Sequence, residues 1–190
     1  MRTWCAIDLE TLSLKQSTCP ILSLGAVSYS FEEGITAEFH EFFNVDEQFK
    51  LGRLPQWKTI QWWLKQSDDA RTPMSGERKD TLTVDEMTDE FYEWWDEEVG
   101  TPAQHWAEDF DYKLGARAIS NGSNFDIAIL ESLFDEVPWH FRNTRCYRSM
   151  IDWFPAPVQP RQTIKHDALQ DAIYQAKVHL NLMVSNENLR

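Results

Sequence analysis

Nowhere does the chain approach the roughly 18 consecutive apolar residues of a membrane-spanning helix, so no membrane is expected among its partners. Its N-terminus lacks a basic region followed by an apolar stretch and a small-residue cleavage site, which removes the expectation of secretion. Cysteine is scarce: Cys5, Cys19 and Cys146 are an odd number without Cys-x-x-Cys spacing, which suits reduced thiols in a cytoplasm. Internal repeats, low-complexity tracts and Gly/Ser linkers are also missing, so a single domain over residues 1–190 is expected. Hydrophobic residues make up 42% of the chain and nine are tryptophan, enough for a real core and too many for a disordered segment.

Positive charge is in short supply as well. Eighteen Lys and Arg face 31 Asp and Glu, a net charge of −13, which looks hostile to nucleic acid. The excess is local, however. Asp85 to Asp111 holds 11 acids and no Lys or Arg, leaving 20 acids against 18 bases elsewhere. If four of those 20 acids hold divalent metals, the remaining surface is slightly positive. Arg142, Arg145, Arg148, Arg161 and Lys165 lie close together in sequence. A polyanionic substrate is therefore compatible with the composition.

The pattern of apolar residues predicts strands at about 3–9, 21–30, 36–43 and 116–120, divided by turn signals such as Cys19-Pro20 and Glu33-Gly34. A helix is expected in QWKTIQWWLKQS, with Trp57, Ile60 and Leu64 on one face, Trp63 beside Ile60, and Trp62 pointing away as an exposed aromatic. Thr83-Val-Asp-Glu86 fits a capping box opening a second helix with the stripe Val84, Met87, Phe91, Trp94 and Trp95. NFDIAILESLFDE (124–136) reads as another helix. The last takes Asp167 as N-cap, with Gln170 three residues on and a buried stripe of Leu169, Ala172, Ile173, Ala176 and Leu180. Strands first, then helices with a further strand, give an α/β domain with a mixed sheet.

Within this pattern some acids sit where a lone charge is costly. Asp8 and Glu10 occupy the apolar strand AIDLET, and at i and i+2 they point the same way. Two carboxylates so placed repel unless a cation bridges them, and paired oxygen ligands suit Mg²⁺ or Mn²⁺. Asp-x-Glu alone is a weak signal, since about one such triplet is expected by chance in a chain this acidic. Asp96-Glu97-Glu98 supplies the control: it lies in an acidic run and reads as a solvated face. Asp126 follows a Ser/Asn/Gly turn in the first turn of an apolar helix, where an acid also suits the helix dipole. Asp171 leans toward the buried stripe of the last helix with no capping left to do, and His166 stands five residues before it.

Together, in this order and these contexts, Asp8-Leu9-Glu10, Asn124-Phe125-Asp126 and His166-x4-Asp171 resemble the three motifs of the DEDDh exonucleases of the DnaQ-like, ribonuclease-H-like superfamily. Their separations of about 115 and 40 residues suit such a domain. PILSLGAV, LGRLPQWKTIQWWLKQS and NGSNFDIAILES extend the likeness toward the branch with DexA-type exonucleases and a mycobacterial-type exoribonuclease. The stretch at about 97–115 departs from the pattern as an acidic insertion.

The resemblance implies a ribonuclease-H-like mixed sheet flanked by helices and a 3′–5′ exonuclease using two Mg²⁺ or Mn²⁺ ions. Asp8 would bridge both ions, Glu10 and Asp171 would complete one site, Asp126 would support the other, and His166 would be the general base. The expected partner is the 3′ end of single-stranded DNA or RNA, with a homodimer compatible with what relatives do. Thr11, Leu12, Asn124 and Phe125, beside the motifs, are candidates for contacts with the terminal nucleotides. Trp62, Trp63 and Trp139 are candidates for stacking further along. Three other readings compete. One is a non-catalytic acidic protein in which Asp85–Asp111 and its aromatics mimic a phosphate ladder; another is a phosphodiesterase of short oligonucleotides; the last is a proofreading subunit.

Overall fold

In the computed structural model, which describes residues 2–74, 78–103, 111–154 and 166–185, the strands form one mixed five-stranded sheet. They are β1 (Thr3–Thr11), β2 (Ile21–Ser30), β3 (Gly34–Phe42), β4 (Arg117–Ser120) and β5 (Thr144–Cys146), in the order β3-β2-β1-β4-β5. The first three run antiparallel as a meander, and β4 and β5 continue the sheet parallel to β1. Six α-helices follow the same numbering: α1 (Val45–Lys50), α2 (Trp57–Trp63), α3 (Val84–Trp94), α4 (Asp126–Glu131), α5 (Tyr147–Trp153) and α6 (Ala168–Ser185). None is long and apolar enough to cross a membrane among the described residues.

Both faces of the sheet are covered, which is why β1 and β2 read as almost continuous apolar runs. Cys5, Ile7 and Leu9 face a layer in which Val84, Met87, Phe91 and Trp95 pack with Phe39 and Trp139. Trp4 and Ala6 face the other way, with Val27, Tyr29 and Ile119, against Ala172, Ala176, Val178 and Met183 of α6. The capping box forms as expected, Thr83 and Glu86 exchanging side-chain-to-backbone bonds, and a single π-turn, Trp95–Val99, extends α3. Asp167 accepts the Gln170 amide at 2.9 Å and so caps α6.

Other expectations are corrected. In α2 the inward residue is Trp63, which joins Leu12, Leu22 and Ala70 in a small cluster, whereas Trp57 and Leu64 are exposed. The helix is only seven residues long, so a single large ring fixes which side is buried. The predicted 124–136 helix ends at Glu131; Leu133, Phe134 and Val137 still pack on the core, but from irregular chain. The buried face of α6 is rotated: Leu169, Ile173 and Leu180 are half-buried, while Asp171, Gln175 and His179 are inside. One polar atom of each of two inward side chains is paired: Gln175 donates to Asp8 at 2.8 Å and His179 Nδ1 bonds the Tyr29 hydroxyl at 2.7 Å. Helices α1 and α5 and strand β5 are too short to announce themselves by periodicity. Of the stretch expected to be an acidic insertion, residues 104–110 lie outside the described residues. Phe91 and Trp95, offered as part of a mimicking surface, are buried in the core at 0% exposure.

Candidate active site

Strands β1, β4 and β5 are parallel, so their C-terminal ends share one edge of the sheet, and β1 is where the chain switches from a leftward to a rightward neighbour. Crevices at such switch points are the usual ligand sites of open α/β sheets. Asp8 and Glu10 lie near the C-terminal end of β1, and a register shift between Glu10 and Thr11 marks where regular pairing with β2 breaks. Asp126 opens α4, just past the end of β4, and Arg148 lies in the first turn of α5, just past β5. His166 and Asp171 come from the lead-in and first turn of α6.

These residues converge. Asp8, Glu10, Asp126, His166 and Asp171 all line one pocket of about 540 Å³. One ligand atom each from Glu10, His166 and Asp171 lie within 4.8 Å of one another. Glu10, Asp126 and Asp171 are buried. Burial, followed by the charges of Asp126, Glu10 and Asp171, pushes the Asp8 carboxyl well above the usual carboxylate range; its hydrogen bond from Gln175 only partly offsets this. Burial likewise raises Asp126 to about 7, against the pull of the Ser120 hydroxyl, nearby backbone amides and the Arg148 charge. Four carboxylates lining one pocket, with Asp8 and Asp126 held back from ionising, form an all-oxygen donor set fitted to hard divalent cations.

The close approach of α6 to the sheet depends on glycine. Gly25 pairs with Asp8 across β1 and β2, and a Cβ added there would fall inside the backbone of Ala168 and Leu169. Any side chain at 25 would lift the helix that carries Asp171 away from the strand that carries Asp8. His166 has a φ of 67°, a left-handed conformation uncommon for a residue with a side chain and of the kind retained at functional sites. Its ring meets Trp62 edge to face at 4.6 Å.

The substrate-contact expectations divide. Asn124 and Phe125 line the pocket, and Gln16 ties the loop after β1 to Asn124 by donating to its carbonyl. Thr11 and Leu12 are buried, Leu12 packing with Trp63, and the exposed apolar residue of that loop is Leu14, which lines the pocket. Trp63 and Trp139, each 1% exposed, are core residues. Trp63 donates its indole N–H to the Thr11 carbonyl at 2.8 Å and Trp139 to the Glu131 carboxylate at 3.0 Å, and with so little of either ring exposed neither presents a free face to solvent. Trp62 is exposed as expected.

Sequence reasoning missed Gln175, Gly25 and Leu14. A glycine inside an apolar strand was the available signal for the second; nothing local marks the other two. Of the basic cluster, Arg148 reaches the pocket and donates to the Asn121 carbonyl at 2.9 Å. Arg145 is used on the backbone of Arg142 and Thr144, and Arg161 and Lys165 lie outside the described residues.

Among solved structures, the fold is similar to E. coli Exonuclease I in complex with a dT13 oligonucleotide (TM-score 0.68, 12% identity). It is also similar to a zinc-bound form of the same enzyme with single-stranded DNA (0.68, 12%) and to a moderately thermophilic Exonuclease I from Methylocaldum szegediense (0.65, 15%). All of this chain is covered in each case, but it spans only 42% of the length of those proteins. At such identities the likeness establishes the fold. No match is found among curated proteins. The family model of the Rv2179c-like 3′–5′ exoribonuclease domain matches residues 3–183, nearly the whole chain, and the protein belongs to that family of 3′–5′ exonucleases.

Proposed function

We propose that these 190 residues form one exonuclease domain that removes nucleoside 5′-monophosphates from the 3′ end of single-stranded nucleic acid, RNA foremost. The observation that carries the reading is the meeting of Asp8, Glu10, Asp126, Asp171 and His166 in one pocket at the C-terminal edge of the sheet. The preference for RNA is supported by the family description, and single strands by the oligonucleotide complexes of the Exonuclease I neighbours.

Asp8, Glu10, Asp126 and Asp171 are the residues that would hold Mg²⁺ or Mn²⁺, two ions per site. Cations bound there would supply charge to offset the scissile phosphate and would make the attacking water more acidic. His166 takes the proton from that water as its oxygen bonds to phosphorus. The bond from phosphorus to the 3′ oxygen breaks and that oxygen takes a proton from solvent, leaving a strand one residue shorter with a free 3′ hydroxyl. Gln175 holds Asp8 in one orientation through its 2.8 Å bond. Phe125 and Leu14 bound the pocket with apolar surface against which the terminal base packs, and Arg148 offers a cation to a phosphate.

The test uses 5′-labelled RNA and DNA strands of matched sequence, with Mg²⁺, with Mn²⁺ and with chelator. The expected result is a ladder shortening from the 3′ end that needs the cation and runs faster on RNA. Undiminished activity of Asp8→Ala would overturn the assignment.

A further inference from the structure

Beside the active-site pocket lies a second groove, of about 740 Å³, lined by Leu14, Gln56, Trp57, Lys58, Thr59 and Trp62. Trp57 is 65% exposed and Leu14 72%, the opposite of what burial does to most large apolar side chains. With Trp62 they gather exposed apolar surface around one groove, a candidate interaction site.

We propose that this groove is a distal subsite that stacks an unpaired nucleobase upstream of the scissile bond, with Trp57 as its platform and Lys58 as its phosphate contact. The proposal rests on the exonuclease reading and adds to it a rule for substrate length. Two observations favour a nucleic-acid strand as the occupant. The first is continuity: Leu14 lines both cavities, and Trp62, on the groove wall, meets the ring of His166 at 4.6 Å. A strand leaving the pocket is therefore delivered into the groove. The second is charge: in a chain of net charge −13, residues 48–67 carry Lys50, Arg53, Lys58 and Lys65 and no acid, and Lys15 flanks Leu14 on the facing loop. The groove is walled by basic, acid-free chain, which suits a phosphodiester backbone.

Its walls are also held together. The Leu14 amide donates to the Gln56 side chain at 2.8 Å, and the Gln56 amide donates to the Leu12 carbonyl at 2.9 Å. This fixes the loop after β1 against the start of α2, so the platform exists before a strand arrives and little ordering is needed on binding.

The experiment compares Trp57→Ala, Trp57→Phe and Lys58→Ala with the unchanged protein on a 20-residue oligo(A) RNA and on the dinucleotide ApA. Trp57→Ala should raise KM for the 20-residue strand about fivefold to a hundredfold, the range of one lost base–aromatic stack, with kcat unchanged. Rates on ApA, too short to reach the groove, should not move, and Trp57→Phe should recover most of the loss. Lys58→Ala should lower the steepness of the salt dependence on the long strand by about 0.7 in log–log slope. Equal losses on both substrates, or none on either, would overturn the proposal. So would sedimentation showing that Trp57→Ala splits a dimer while length discrimination persists, since the face would then belong to a second copy. Hydrolysis of ApA by every variant keeps the underlying exonuclease reading separate from this outcome.

Discussion

Asp8-Leu9-Glu10 and Asp96-Glu97-Glu98 carry the same spacing of carboxylates, and the fold puts them to opposite uses. The second triplet lies in the π-turn after α3, with all three side chains exposed and their charges in water. The first lies inside β1, facing α6, where two more acids are brought against it and burial resists ionisation. Spacing alone does not make a site. What differs is whether the surrounding chain removes water and adds further carboxylates.

Substitutions at matched positions sharpen this contrast, and the largest expected effect is the loss of chemistry. Asp8→Asn should abolish cation-dependent mononucleotide release, whereas Asp96→Asn should leave the rate within about twofold, as surface changes away from such features usually do. The same pair should separate in the other direction when thermal unfolding is followed without divalent cations: Asp8→Asn should raise Tm, because it removes a carboxyl whose ionisation is opposed by desolvation and three neighbouring acids, and Asp96→Asn should not. Next in size, His166→Ala should slow turnover about 10²–10⁴-fold, read as kcat under saturating strand. Gln175→Leu should weaken Mn²⁺ binding about 10- to 100-fold, read by titration calorimetry with no nucleic acid present.

A separate effect is on pH dependence. Asp126 in the folded chain holds its proton to about 7, far above an unfolded aspartate, so between about pH 4 and 7 the native state binds more protons than the unfolded one. Stability without cations should therefore fall as pH rises through that window and level off above it. Asp126→Asn should flatten the fall, and chemical denaturation at pH 5 and pH 8 would measure it.

Much of this contrast is legible in the sequence alone. The strand setting of AIDLET, the capping box at Thr83 and the Asp167 cap are short-range patterns whose physics is complete within a few residues. The partners of the four acids were recoverable only as an ordered set of motifs. What escaped depends on contacts between distant segments. Leu12 and Leu14 differ by two positions, yet one enters a cluster with Trp63 while the other is turned to solvent, and nothing in the tripeptide decides which. Trp57 and Leu64 looked like core because helical period was the only guide, but a seven-residue helix with one anchoring tryptophan need not bury its whole stripe. Gln175 reads as a surface residue until Asp8 is known to lie opposite it.

The contact at Gly25 has a mechanical consequence. With no side chain between β2 and the first turn of α6, backbone rests on backbone, and the separation between them is set by the steep repulsive wall of atomic radii instead of by deformable packing. Two parts of the site more than 150 positions apart in the chain, Asp8 and Asp171, are thereby coupled as if bolted to one plate. Thermal motion at this edge should carry them together, so that the carboxylate cluster keeps its shape while the loops around it breathe.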